Sequence, residues 1–187
     1  MKRREFLQTC TAGLMAGGGS LSMLQMAQAG EEPPKRNIDP AEFCKATHQH
    51  FIPGKLTCGE SILMAGCQAL AIKSKLVPDI ALGLAGGIGL QGETCGVLTG
   101  SALVLSLAVA EREKEYPKKK MATLQAVGRV HKAFRERFGT TECRSLCGLD
   151  LTTPEGRKKL EEGVKEQVCA KYVHVGSELL AKELQTL

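Results

Sequence analysis

The sequence predicts an all-α fold, an irregular bundle of about five to six helices. Three observations predict it. No stretch of useful length alternates apolar and polar residues, as a half-buried strand would. Helix-start signals recur: Thr57-Cys58-Gly59-Glu60 has the form of a capping box, and Thr153-Pro154-Glu155 puts a proline at a first helical position. Trp is absent and aromatic residues make up only 4% of the chain, so Leu, Ala, Val and Ile must build the core.

The chain opens on a leader. Lys2-Arg3-Arg4-Glu5-Phe6-Leu7 carries paired arginines, a weakly apolar Gly- and Ala-rich stretch follows from about Leu14 to Met26, and Ala27-Gln28-Ala29 is a small-x-small cleavage signature. Residues 1–29 therefore read as a twin-arginine export signal, and the expected location is the periplasm. The other reading, an N-terminal amphipathic helix, is weakened by Gly17, Gly18 and Gly19. Cys10 falls inside the leader, and Leu7-Gln8-Thr9-Cys10 precedes the apolar stretch, which argues against a lipid-attachment box. Twin-arginine signals carry folded proteins, often with a cofactor inserted beforehand. Such a route favours a metal or cluster loaded before export.

Removing the leader leaves 158 of the 187 residues and lowers the net charge from +5 to +3. The length fits one domain. The charge is too small to argue for nucleic acid. Lys118-Lys119-Lys120 is the only tight basic run and reads as a solvated helix start. The longest apolar run, Val97 to Ala110, contains Thr, Gly and Ser and reads as a buried helix, so no stable membrane span is expected.

Residues 30–54 read as a polar tether followed by a short helical segment, and 55–187 as the cysteine-containing helical domain. The capping box opens a helix running to about Leu76. Asp79 caps a short apolar helix through Leu84, and a glycine-rich turn from Gly86 to Gly92 leads into a helix from Cys95 to about Glu115. Pro117 marks a break. Lys118 to Phe138 is amphipathic and stops at Gly139. Thr141 to Cys147 is a short turn of helix ended by Gly148, and the last helix, broken near Gly163, continues to Leu184.

Seven of the eight cysteines lie beyond the leader. Cys58 and Cys95 sit at predicted helix starts, and Cys143 occupies a similar place after Thr141, where free amides and the helix dipole favour the thiolate. Cys169 shares a helix face with Tyr172, Val173 and Gly176 and is expected to point inward. These four come from four segments, as a thiolate cage requires. Cys147 is four residues after Cys143, so it is a substitute ligand or a resolving thiol. Cys67 is out of phase with Cys58 and reads as a small hydrophobe. Cys44, His48 and His50 read either as a metal-binding cluster or as a mobile surface segment. Thr99 lies on the Cys95 side of its helix and is placed to hydrogen-bond a sulfur or a cluster.

The spacings exclude several sites. No Cys-x-x-Cys pair exists, so neither a thioredoxin motif nor a zinc ribbon fits, and no Cys-x-x-Cys-His encodes covalent haem. Neither common ferredoxin spacing is present. Gly87-Ile-Gly89-Leu-Gln-Gly92 matches the dinucleotide glycine pattern, but that pattern needs a preceding strand. The glycines read instead as a turn that delivers Cys95. Gly96 and Gly100, four apart, form a small face for close helix packing. No nucleophile elbow or Ser-His-Asp arrangement supports hydrolysis. His131 and His174 lie on predicted helices and carry no ligand role.

A set of blocks carries a family resemblance. Cys58-Gly-Glu-Ser-Ile-Leu, Leu84-Ala-Gly-Gly-Ile-Gly, Gly92-Glu-Thr-Cys-Gly-Val-Leu-Thr-Gly, Phe138-Gly-Thr-Thr-Glu-Cys143 and a late Cys169 resemble the C_GCAxxG_C_C family of redox-active proteins over about residues 55–185. That family is similar to the cysteine-bearing part of split-Soret cytochromes c. The resemblance implies an iron–sulfur site or redox-active thiols on Cys58, Cys95, Cys143 and Cys169. Val97 stands where the family usually has Ala, and without haem motifs no haem is implied.

The expected function is an exported redox protein passing electrons through an iron–sulfur cluster on those four thiolates. Soft sulfur ligands select such clusters, copper(I) or zinc. The alternatives are a periplasmic thiol–disulfide protein, or a structural helical domain with disulfides or zinc. A redox partner protein is expected, nucleic acid is not, and a homodimer is compatible with the sequence.

Overall fold

Among residues 36–187, which the computed structural model describes, the chain forms seven α-helices with one 3₁₀ and one π-helical segment between them. The described residues belong to one compact unit. The leader and its cleavage motif lie outside the described residues. No strand is formed among the described residues; the one extended pairing is an isolated antiparallel bridge between Thr94 and Glu142. The fold is all-α.

Helix α1 (Pro40–Phe51) starts where Asp39 accepts from the Ala41 amide at 2.8 Å. It buries Phe43, Cys44, Thr47 and Phe51, so the segment holding Cys44 and His48 is packed on α2 (Cys58–Ala69) and α7 (Ala170–Thr186) rather than being a loose surface strip. The hydrophobic spacing of Phe43, Thr47 and Phe51, four apart, is what buries that face.

The capping box forms as expected: the Thr57 amide donates to Glu60 Oε2 at 2.9 Å, and the Glu60 amide donates to Thr57 Oγ1 at 3.4 Å. Such caps contribute about 1 kcal/mol each. Helix α2 ends at Ala69, earlier than the expected Leu76, because Ala71 turns left-handed (φ 56) and the Ile72 amide reaches back to the Cys67 carbonyl. Turns and a 3₁₀ segment (Asp79–Leu84) carry the chain onward, leaving Leu76, Ile80 and Leu82 exposed. Pro78 precedes that segment, and Asp79 makes no cap hydrogen bond.

The turn from Gly86 to Gly92 follows. Gly87 has φ 72, and a Cβ there would stand 2.5 Å from the Glu93 amide nitrogen, so no side chain fits. Because a 3₁₀ segment precedes this turn, the dinucleotide pattern lacks its required strand. Helix α3 (Gly96–Arg112) then crosses α2 closely. A Cβ at Gly100 would lie 2.7 Å from the Gly59 carbonyl oxygen. The small face of Gly96 and Gly100 thus lets two backbones approach.

Helix α4 (Tyr116–Phe138) takes Pro117 into its first turn and stops at Gly139 (φ 76). Helix α5 (Cys143–Cys147) ends at Gly148, and α6 (Pro154–Lys159) begins behind a Thr153 cap. The expected break falls at Gly163 (φ 149), inside a π-helical segment, Leu160–Cys169, that runs into α7. None of its ten residues is fully buried. The main core joins α2, α3, α4 and α7 through Ile62, Leu63, Val104, Leu105, Phe134 and Leu180. Cys67 packs there as a small hydrophobe. No helix among the described residues is long and apolar enough to cross a membrane.

Candidate functional site

The bridge between Thr94 and Glu142 builds the site. The Cys95 amide donates to the Thr141 carbonyl at 2.8 Å, the Cys143 amide to the Glu93 carbonyl at 2.6 Å, and the Arg144 amide to the Gly92 carbonyl at 3.0 Å. These bonds hold the start of α3 beside the start of α5. The close crossing of α2 and α3 brings Cys58 to the same place: a Cβ at Gly96 would lie 2.5 Å from Cys58 Sγ.

A cavity of about 400 Å³ opens there. Cys58, Cys143, Cys147 and Cys169 line it, and Phe51, Leu90, Leu151 and Leu160 supply apolar walls. Cys95 sits one layer deeper, buried, with its thiol hydrogen-bonded to the Cys58 sulfur. Cys143 and Cys147, on consecutive turns of α5, form a second hydrogen-bonded pair. Cys169 sits at the junction of the π-helical segment and α7, packed against both hydrophobic clusters. Cys58, Cys143, Cys147 and Cys169 thus line one cavity, and Cys95 lies buried beside Cys58.

Within each pair the ionisation is divided. The hydrogen bond from Cys95 lowers the Cys58 thiol, against burial and with help from the Gly59, Cys58 and Gly96 amides. Cys95, as the donor, is raised well above the ordinary value, and burial adds to that. Likewise the hydrogen bond from Cys143 brings Cys147 down to about 6, assisted by the Leu149 and Cys147 backbone and by Arg144, while Cys143 itself is raised. Burial first, then the charges of Cys58 and Cys147, push Cys169 up to about 12. The sequence expectation of low values at Cys95 and Cys143 is therefore corrected. Amides at the helix starts act on Cys58 and Cys95, but the hydrogen bond within the pair outweighs them at Cys95, and the hydrogen bond to Cys147 and burial raise Cys143.

This division predicts a pH profile. In the reduced, metal-free protein Cys147 is ionised above about 6 and protonated below it. Its alkylation by iodoacetamide is expected to be level above about pH 7 and to fall about tenfold per unit below 6. Mass spectrometry of the alkylated peptide checks it, and a Cys147 rate still climbing through pH 9 contradicts it.

The other candidates lie elsewhere. Cys44 is buried, its Sγ donating to the His174 carbonyl at 3.6 Å, and burial raises its thiol. His50 Nε2 pairs with Gln68 Oε1 at 3.1 Å on the α2 side, so it leaves His48, which faces a shallow groove with Cys44, His174 and Glu178. Thr99 does not face the thiols: its hydroxyl donates to the Gly96 carbonyl at 3.3 Å and it borders a separate small cavity with His131. Among the described residues no three His, Cys, Asp or Glu side chains converge as donors to a single ion.

The model of the family described as "Putative redox-active protein (C_GCAxxG_C_C)" matches residues 56–183. The chain belongs to the C_GCAxxG_C_C family. The match takes in Cys58, Cys95, Cys143, Cys147 and Cys169 and leaves out Cys44. A similar protein, described as an uncharacterized protein, occurs in Archaeoglobus fulgidus. It is 30% identical over 139 residues, covering 70% of this chain and 92% of that one. No solved structure matches.

Proposed function

We propose that this C_GCAxxG_C_C protein is an exported electron carrier whose redox group is an iron–sulfur cluster held by Cys58, Cys95, Cys143 and Cys169, with Cys147 as substitute. One observation carries the proposal: the thiols of Cys58, Cys143, Cys147 and Cys169, from three separate elements, line one apolar cavity, and Cys95, at the start of α3, lies buried beside Cys58. The donor set fits the group. It is sulfur throughout, and iron–sulfur clusters are held by thiolates. Its members other than Cys95 line one cavity of about 400 Å³ with apolar walls. Export and a periplasmic location rest on the paired-arginine leader.

When bound, such a cluster gains and loses single electrons. The chain's own residues set the conditions. The Gly59 and Gly96 amides stabilise negative charge on the Cys58 sulfur. Phe51, Leu90, Leu151 and Leu160 keep the surroundings apolar, and burial together with amide hydrogen bonds to sulfur tunes potential. Protein purified without air from cells with intact cluster assembly is expected to hold iron and acid-labile sulfide and to absorb visible light that fades on reduction. A colourless, iron-free sample overturns the proposal.

The two hydrogen-bonded pairs favour a second reading, a thiol–disulfide protein. There the ionised thiol of Cys58 or Cys147 attacks a partner disulfide, and its neighbour resolves the mixed disulfide, leaving a protein disulfide and two reduced partner thiols. Alkylation and mass spectrometry across redox buffers test it. If neither pair changes oxidation state, this reading fails.

A further inference from the structure

We propose that the mouth of the cysteine cavity is a docking surface for an acidic redox partner protein. The inference rests on the reading of the cavity as a redox centre and adds the chemistry of what meets it. Three cations, Lys55, Arg157 and Lys165, stand at the cavity with a single carboxylate, Glu161. They come from the turn after α1, from α6 and from the π-helical segment, so no run in the sequence announces them.

Three neighbouring cations have carboxylate partners. Arg144 pairs with Asp150 at 3.1 Å, Lys158 with Glu162 at 3.5 Å, and Lys159 with Glu155 at 2.7 Å. The three mouth cations pair with no carboxylate among the described residues. Two of them are held in place without one. Arg157 Nη1 donates to the Leu151 and Thr152 carbonyls at 2.9 and 2.8 Å. The Lys165 ammonium sits 5.0 Å from the centre of the Phe51 ring. Lys55 is exposed and occupies a left-handed backbone position (φ 57), where glycine or asparagine is favoured and the turn itself gives no reason for a lysine.

Excess positive charge over an apolar opening raises the local concentration of an anionic partner and speeds its encounter. An apolar centre with a charged rim is also how protein interfaces are built. The cations come from three segments, the guanidinium is anchored to backbone oxygens and the Lys165 ammonium to a ring face, which suits a broad partner surface better than a small anion.

The test uses the as-purified protein with an acidic ferredoxin and a basic cytochrome c as probes. Association with the ferredoxin is expected to be fast at low ionic strength and to slow steeply as salt shortens the screening length. The K55E/K165E variant is expected to slow that association by about tenfold or more and to flatten its salt dependence, with K55Q/K165Q intermediate. K158E/K159E, which alters paired cations that do not line the cavity, is expected to stay within about twofold. Equal rates for wild type and K55E/K165E, equal slowing by K158E/K159E, or cytochrome c binding as well as the ferredoxin would overturn the proposal. Iron content and thiol oxidation state are measured on the same samples. Loss of the salt-dependent docking with an unchanged redox centre then separates failure here from failure of the electron-carrier reading.

Discussion

Phe134→Ala is expected to destabilise the protein by about 3–5 kcal/mol, the largest loss available from one side chain in this core. The chain has no Trp, five Phe and two Tyr, so few rings hold it together. Phe134 is fully buried and meets Phe138 edge-on at 4.7 Å and Tyr172 at 6.5 Å between centroids. The ring also fills the space beside Gly176, where an added Cβ would come 3.7 Å from its Cε2 and into Val97. Removing it loses burial, two ring contacts and the packing that seats the first turn of α3 behind Cys95. At about 2–4 °C per kcal/mol for a chain of this size, the midpoint should fall by roughly 6–20 °C. Reversible thermal or urea unfolding reads this directly. A loss below about 1 kcal/mol would mean that the α4–α7 seam does not carry the core.

Gly96→Ala has the largest expected effect on the site itself. The new methyl would stand 2.5 Å from Cys58 Sγ and 3.0 Å from the Gly59 amide nitrogen. One of those neighbours is backbone of the α2–α3 crossing, so Cys58 must move. Overpacking of this kind costs about 1–3 kcal/mol. The sharper consequence is chemical: Cys58 leaves its hydrogen bond with Cys95, loses the effect that lowers its thiol, and no longer faces the cavity. Iron retained by the folded variant should drop well below half of wild type, and the Cys58 thiol should titrate higher. Gly128→Ala is the control. Nothing lies within 4 Å of its added Cβ, and in the middle of α4 the change should be neutral or stabilise by up to about 1 kcal/mol. Wild-type iron in Gly96→Ala, or equal losses in both variants, would contradict the assigned role of the crossing.

Much of the architecture was legible because its signals are local. Thr57 and Glu60 cap α2 through atoms three residues apart, Gly139 stops α4, and Pro154 opens α6. The spacing of Gly96 and Gly100 announced a close helix crossing, and the phase of Cys67 announced a core position. What escaped the sequence depends on contacts between distant segments. The end of α2 is set by a left-handed Ala71, a residue with no preference for that conformation. Helix α1 is too polar to declare itself buried until α7 supplies its other face. Which thiol of each pair keeps its proton depends on which sulfur donates, and no spacing encodes that. The cationic mouth assembles from three segments whose lysines and arginine look like ordinary surface charge one at a time.

Iron content across single cysteine-to-serine variants, each checked for folding and purified without air, tests most directly whether sulfurs from four elements act as one centre. Cys58→Ser, Cys95→Ser, Cys143→Ser and Cys169→Ser should each retain less than half of the wild-type iron, while Cys44→Ser and Cys67→Ser, whose thiols lie away from the cavity, should match wild type. Full iron in any folded member of the first group, or equal loss in the second, would contradict a shared centre.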